Sequence, residues 1–164
     1  MQPAPEPEQL LRDASRLHRG GEVAPAEALY RQILVQDPQC VDAWYLLGML
    51  LHQRDRAEEA VECFERTVEL RPDETSLLNN LGVALVKLRR YAEAETALRR
   101  AVDLASDNFE AVRNLAHCLA DAGKSEESLV WFERSTNLSP DQPEARYQYA
   151  AALKHCGRVP EAIP

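Results

Sequence analysis

A repeat of 34 residues runs through most of this chain of 164 residues. Small residues recur at that interval, and a leucine lies three residues after each of them. The small residues are Ala14, Gly48, Gly82, Ala116 and Ala150, and the leucines are Leu17, Leu51, Leu85, Leu119 and Leu153. A fixed interval of this length is typical of proteins that stack one supersecondary unit on the next. The period therefore constrains the fold more than any single motif does.

Each repeat contains two predicted helices. Over residues 44–51 and 57–70 the apolar residues fall at helical spacing, whereas the residues of a strand would alternate. The segment 52–56 between them is short and polar, so the two helices are predicted to be antiparallel neighbours. Gly48 removes side-chain bulk where the helices cross, and the large Phe64 fills the space beyond that contact. The pattern predicts an all-α fold of antiparallel helix pairs.

These rows of residues resemble the tetratricopeptide repeat (TPR). The second repeat carries a residue typical of that family at each signature position: Trp44, Leu47, Gly48, Leu51, Ala60, Phe64 and Pro72. The resemblance implies a right-handed superhelical solenoid whose first helices line a concave face. We predict a TPR array over residues 7–164, with repeats at 7–40, 41–74, 75–108 and 109–142 and a partial repeat at 143–164. Residues 1–6 are predicted to be a disordered, proline-rich segment.

The charge of the chain argues against nucleic acid as a partner. The sequence has 27 acidic and 19 basic residues and a net charge of −8, whereas phosphate binding needs a basic face. No segment approaches the length of a membrane span, and residues 1–8 lack the apolar run of a signal peptide. We therefore expect neither a nucleic-acid nor a membrane partner, and a cytoplasmic location.

The sequence lacks the usual motifs of catalysis and cofactor binding. It has no phosphate-cradling glycine loop, no HExxH and no GxSxG. Its four cysteines do not have the spacing of zinc ligands. His18 and His52 share a register position and are predicted to approach each other, but a metal site needs three or four supported ligands. We predict a protein that is not an enzyme and has no cofactor and no metal site.

Function is predicted to lie on the concave face, as a non-catalytic scaffold that binds a peptide or protein. The first helices have inward-pointing positions that the core rows do not use. From these we predict the binding residues Tyr45, Met49, Asn79, Asn80, Val83, Arg113, Asn114, His117, Tyr147 and Gln148. Their mixture of aromatic, methionine, arginine and amide side chains is typical of contact surfaces. The family resemblance implies a protein partner but does not identify it.

Amide side chains recur at one register position of this face, as Asn80, Asn114 and Gln148. An amide can both donate to and accept from an extended peptide backbone. The row resembles the asparagine ladder on the inner face of the repeat array in O-linked N-acetylglucosamine transferases. Leu46 and Arg12 occupy the same position in the first two repeats and break the row. Alternatively, asparagine is common at this position across the family and has no specific role.

Two further functions stay open. One is an N-terminal TPR leader of a larger group-transfer enzyme of the glycosyltransferase or sulfotransferase type. The other is an assembly unit that forms weak homo-oligomers through its uncapped C-terminal repeat. Terminal repeats normally carry a polar face, whereas the first helix of the last repeat is expected to expose Tyr149 and Leu153.

Overall fold

The structure, a computed structural model, describes residues 6–158, and this range forms nine α-helices and no strand. The helices are α1 (Pro7–Arg19), α2 (Val23–Gln36), α3 (Val41–Gln53), α4 (Ala57–Leu70), α5 (Thr75–Lys87), α6 (Tyr91–Leu104), α7 (Phe109–Asp121), α8 (Ser125–Leu138) and α9 (Pro143–His155). Odd-numbered helices are the first helices of the repeats, and each begins 34 residues after the one before. The predicted all-α fold of antiparallel helix pairs is confirmed.

The chain divides into two compact bodies, Met1–Pro72 and Asp73–Pro164. In the N-terminal body, α1 packs on α2, α2 on α3 and α3 on α4. In the C-terminal body, α5 packs on α6 and α7, α6 on α7, α7 on α8, and α8 on α9. Most of the segment predicted to be disordered, and the end of the predicted partial repeat with Ala162, lie outside the described residues. The division into five repeats stays a prediction.

A small residue faces a large one where the two helices of a repeat cross. A Cβ atom on Gly48 would lie 2.7 Å from Cε1 of Phe64, and one on Gly82 would lie 2.4 Å from Cγ of Leu98. Both glycines and both partners are buried. Because protein interiors are close-packed, these helices approach this closely only where the first helix has no side chain.

Among residues 6–158, the turn that follows each first helix contains one residue with positive φ. Three of these residues are Gly21, Gly123 and Gly157, with φ of 79°, 79° and 76°. The second and third repeats have Asp55 and Arg89 at the same position, with φ of 64° and 59°. A residue with a Cβ atom is strained by about 1–2 kcal/mol in this conformation, whereas glycine is not. The paired helices therefore impose the turn even where the local residue disfavours it.

Each body has an ion-pair cluster that connects its second helices, and the two clusters lie at equivalent register positions. In the N-terminal body, Arg56 binds Glu27 of α2 at 2.8 Å and Glu59 of α4 at 2.6 Å. In the C-terminal body, Lys124 binds Glu95 of α6 at 2.8 Å. The positions of the second cluster follow those of the first by 68 residues. The hydrogen bond from Lys124 lowers the pKa of Glu95, and the hydrogen bond from Arg56 lowers that of Glu59.

Helix α9 differs from the prediction at Leu153. This side chain was expected to be exposed, but it is only 1 % exposed, and Tyr149 is half-buried. The large apolar side chain that α9 does expose is Tyr147, which is 72 % exposed. The prediction at Leu153 was wrong: α9 packs against α8, and Leu153 is buried in the C-terminal body. The surface predicted for self-association therefore lacks its apolar centre.

Candidate binding faces of the first helices

In the N-terminal body, Tyr45 and Met49 of α3 are half-buried and line one pocket. The pocket has a volume of about 340 Å³, and Tyr30 of α2 also lines it. The Tyr45 ring lies 6.3 Å from the ring of Phe64, centroid to centroid. The buried Phe64 thus packs against Tyr45, and Met49 adds a flexible apolar side chain to the same pocket.

His18 closes one side of this N-terminal pocket. Its Nδ1 atom lies 3.4 Å from the Tyr30 hydroxyl, and its Nε2 atom lies 3.1 Å from Oε1 of Gln53. The predicted approach of His18 to His52 stays a prediction. These polar contacts orient the imidazole at the pocket and give it a local structural role.

A second pocket of about 550 Å³ adjoins the first helices of the N-terminal body and is rich in arginine. Arg12, Arg16 and Arg19 line it together with Asp13 and Asp42. Arg16 lies 3.6 Å from Asp13, and Arg19 Nε donates to the backbone carbonyl oxygen of Ser15 at 3.3 Å. The pocket thus carries charges of both signs, with more arginines than aspartates.

In the C-terminal body, α5 and α7 form a polar face from half-buried side chains. Nδ2 of Asn114 donates to Oδ1 of Asn79 at 3.0 Å. The Arg113 guanidinium lies over the Phe109 ring, 5.3 Å from its centroid. An asparagine amide has two N–H donors and a carbonyl acceptor, so the bond to Asn79 occupies only one of the polar groups of Asn114. Neighbouring repeats thus hold this amide in a fixed orientation.

A pocket of about 390 Å³ lies between α7, α8 and α9, and we call it the C-terminal pocket. Phe132 of α8 lines it, and the ring of His117 meets that ring edge-on, with centroids 5.0 Å apart. Tyr147 and Gln148 of α9 form another side. Ala120 and Ala151 line this pocket at the register positions that the larger His18 and Met49 occupy in the N-terminal pocket.

Glu144 and Gln148 supply acceptor oxygens to the C-terminal pocket. Nε2 of Gln148 donates to Oε1 of Glu144 at 3.3 Å. Oε1 of Gln148 is buried beside His117 and accepts no hydrogen bond from the described residues in this conformation. Burial lowers the pKa of His117, although the Gln148 amide and the carboxylates of Asp121 and Glu144 favour the protonated ring. The imidazole is therefore neutral at pH 7.

The structure brings the predicted residues together in groups. Tyr45 and Met49 share a pocket in one body, and His117, Tyr147 and Gln148 share a pocket in the other. Asn79 and Asn114 are bonded to each other, and Arg113 rests on its own helix. Asn80 and Val83 are half-buried on α5 and line neither of these two pockets.

The sequence prediction missed Phe132, Glu144 and His155, which also line the C-terminal pocket. Phe132 has the register position of Phe64, whose large side chain the sequence pattern places in the core. The alanines at positions 120 and 151, where an earlier repeat has larger residues, were the available signal that a cavity opens above this ring.

Other site chemistries have no support in the described part of the chain. Over residues 6–158, no group of three or more His, Cys, Asp and Glu side chains could hold a metal ion. In the same range, no helix has the length and apolarity needed to cross a bilayer. Burial raises the pKa of Cys63 to about 12 and that of Cys118 to about 11, so both thiols are unreactive near neutral pH.

Comparison with solved structures places the fold among TPR proteins. MamA superposes with a TM-score of 0.90 at 20% identity, over 96% of this chain and 86% of that chain. MamA from Desulfovibrio magneticus RS-1 has a TM-score of 0.89 at 18% identity, over 96% of this chain and 90% of that chain. YrrB, described as a TPR protein with an unusual peptide-binding site, has a TM-score of 0.81 at 27% identity, over 94% of this chain and 79% of that chain.

Sequence comparison assigns the family. No curated protein sequence matches the chain. The family model described as the cilia and flagella-associated protein 70 middle TPR-like domain matches residues 10–128, which is well over half of the chain. The predicted membership of the TPR family is thus confirmed, and the protein belongs to this family of TPR-like domains.

Proposed function

We propose that this protein is a non-catalytic scaffold that binds an extended peptide or protein segment on the faces of its first helices. The observation that carries this proposal is the pairing of a fixed amide with a side-chain pocket on α7. Asn114, oriented by Asn79, lies one helical turn before His117, which lines the C-terminal pocket. An extended peptide can use both features, because its main-chain groups can bind the amide while one of its alternate side chains enters the pocket.

The N-terminal body supports the same function with a separate pocket. Tyr45 and Met49 offer an aromatic ring and a flexible thioether chain, which are typical anchor contacts of protein interfaces. The resemblance to YrrB also supports peptide binding, since that protein is described as having a peptide-binding site. The net charge of −8 favours a protein partner over nucleic acid.

The amide row is proposed to act in a modified form. Asn114 and Gln148 are bonded to Asn79 and Glu144 in this structure. Each therefore offers a backbone its remaining polar groups rather than its whole amide. The concave groove that would join both bodies, the resemblance to the asparagine ladder and the cytoplasmic location stay predictions.

The alternatives have less support. The buried Leu153 takes away the apolar surface on which weak self-association was predicted. No described contact favours the role of leader for a group-transfer enzyme, and that role stays a prediction.

The proposal is tested with peptides selected from a random phage-displayed library on the full chain. Tyr45→Ala should weaken binding of peptides that use the N-terminal pocket by about 1 kcal/mol or more, as for an interface anchor. Asn114→Ala should cost peptides on α7 about 0.5–1.5 kcal/mol, the net value of a hydrogen bond. Glu62→Ala and Glu133→Ala are controls, because both side chains are exposed on second helices.

Titration calorimetry with each selected peptide then decides the outcome. Unchanged affinities for both controls, with losses for the first-helix variants, support the proposal. Peptides that lose affinity for the controls while binding Tyr45→Ala and Asn114→Ala normally would place the binding site on the second helices and refute it.

A further inference from the structure

The C-terminal pocket and the pocket of Tyr45 lie at equivalent register positions of the two bodies. Tyr147 follows Tyr45 by 102 residues, and Phe132 follows Tyr30 by the same interval. Both pockets therefore have one aromatic residue from a first helix and another from a second helix. Differences between them reflect the residues that this chain places on the same framework.

Their charges differ in sign. Arg19 lines the N-terminal pocket, and the register equivalent of Arg19 is Asp121. Among the described residues that line the C-terminal pocket there is no lysine or arginine, and Glu144 is one of them. Asp121 and Glu144 are both close enough to His117 to favour its protonated form, and the charge of Arg113 opposes them. Within the part of the chain that the structure describes, the lining of the C-terminal pocket thus carries a carboxylate and no lysine or arginine, whereas that of the N-terminal pocket carries Arg19 and no carboxylate.

We propose that the C-terminal pocket binds an arginine side chain of the partner peptide, an inference that rests on the proposed function. The carboxylate of Glu144 supplies a charge-assisted acceptor for the guanidinium. The exposed ring of Tyr147 offers a face on which a planar guanidinium stacks, and the buried Phe132 adds apolar surface to the lining. The methyl group of Ala151 borders the space for the aliphatic part of the side chain.

The oxygen of Gln148 and the neutral ring of His117 also favour a guest that is positively charged and donates hydrogen bonds. Oε1 of Gln148 lacks a donor among the described residues, and rotation of this half-buried side chain would bring it to a guest. A guanidinium carries five N–H donors and no acceptor, so it can bind this oxygen and the Glu144 carboxylate at the same time. His117 is half-buried, and its neutral ring at pH 7 does not repel the guest.

Arginine fits these features better than the other residues that could enter. A lysine ammonium would bind Glu144 as a point charge but would not stack on the rings. A tyrosine would fill the apolar space but leave the carboxylate without a cation. A glutamate or phosphorylated residue would be repelled by Glu144 and Asp121.

The direct test is an NMR titration of the full, isotopically labelled chain with N-acetyl-arginine methylamide. The matched probe is N-acetyl-citrulline methylamide, which has nearly the same shape but no charge. We expect the arginine probe to shift backbone amide signals of α7 and α9 around His117 and Tyr147. Citrulline should bind about tenfold more weakly, because it keeps the shape but loses the charge-assisted hydrogen bond.

Substitution of Glu144 supplies the second arm. Glu144→Gln should weaken the arginine probe about two- to fivefold, the range expected for a partly exposed ion pair. Glu110→Gln is the matched control, since Glu110 is an exposed glutamate at the same register position one repeat earlier, on α7. Its substitution should leave the affinity unchanged.

The outcomes separate this inference from the proposed function. Equal binding of arginine and citrulline, no effect of Glu144→Gln, or shifts confined to other helices would overturn the inference. If the library-selected peptides still lose affinity for Asn114→Ala or Tyr45→Ala, the proposed function stands without the arginine pocket. If they bind both variants normally and lose affinity for the second-helix controls, the proposed function is wrong as well.

Discussion

The crossing of α5 and α6 offers a quantitative test of the packing. A Cβ atom at position 82 would lie 2.4, 2.7 and 3.1 Å from three carbon atoms of Leu98, whose side chain is fully buried. Gly82→Leu therefore places a whole side chain into space that Leu98 already occupies. The gain in helix propensity on replacing glycine is about 1 kcal/mol at most, whereas overpacking costs about 1–3 kcal/mol and occasionally more. Because the first added atom already overlaps, we expect the upper end, about 3 kcal/mol of destabilisation.

A double-mutant cycle distinguishes this overlap from general damage. Leu98→Ala alone should cost about 2–5 kcal/mol by leaving a cavity. The pair Gly82→Leu with Leu98→Ala exchanges large and small side chains and roughly conserves volume, which cores tolerate best. We expect the pair to be at least about 1 kcal/mol more stable than the sum of the single changes predicts. Urea unfolding followed by circular dichroism measures all four proteins. Additive losses would refute the contact between positions 82 and 98.

Three further changes test other features. Arg89→Gly should raise the free energy of unfolding by about 0.5–1 kcal/mol in the same assay by relieving a positive φ, and Gly123→Arg should lower it; no change in either would show that this turn is unstrained. Leu153→Ala should lower the free energy of unfolding by about 2 kcal/mol or more without changing sedimentation, because the side chain is buried. Unchanged stability together with weaker self-association would show that Leu153 is exposed after all. Because burial lowers the pKa of His117 in the folded state, the unfolded chain binds a proton first as pH falls, so stability declines below about pH 6.5. His117→Gln should reduce that decline, and identical pH profiles would contradict the buried neutral imidazole.

Local pattern was sufficient for the helices and for their pairing. The apolar spacing predicted a helix over 57–70, and α4 has the same bounds. This works because helical periodicity depends on residues three and four positions apart, which any short window of sequence contains. The 34-residue interval added which helices are equivalent and therefore which residues recur on each face. It also predicted which side of the first helices is available for binding, and that stays a prediction.

Side-chain neighbours from other helices decided the rest. No local pattern shows that Asn114 bonds to Asn79, because the two residues are 35 positions apart and meet only when α5 and α7 pack. The exposure of Leu153 likewise depends on how α9 lies against α8, which the repeat interval does not specify.

The pockets show the same limit in terms of volume. A register position tells which residues point toward a shared space, but whether a cavity remains there depends on the sum of side-chain volumes contributed by three helices. At equivalent places the N-terminal body contributes His18 and Met49, and the C-terminal body contributes Ala120 and Ala151. Sequence alone determined the framework of helix pairs. Only tertiary packing decided where that framework leaves a pocket and which acceptor groups line it.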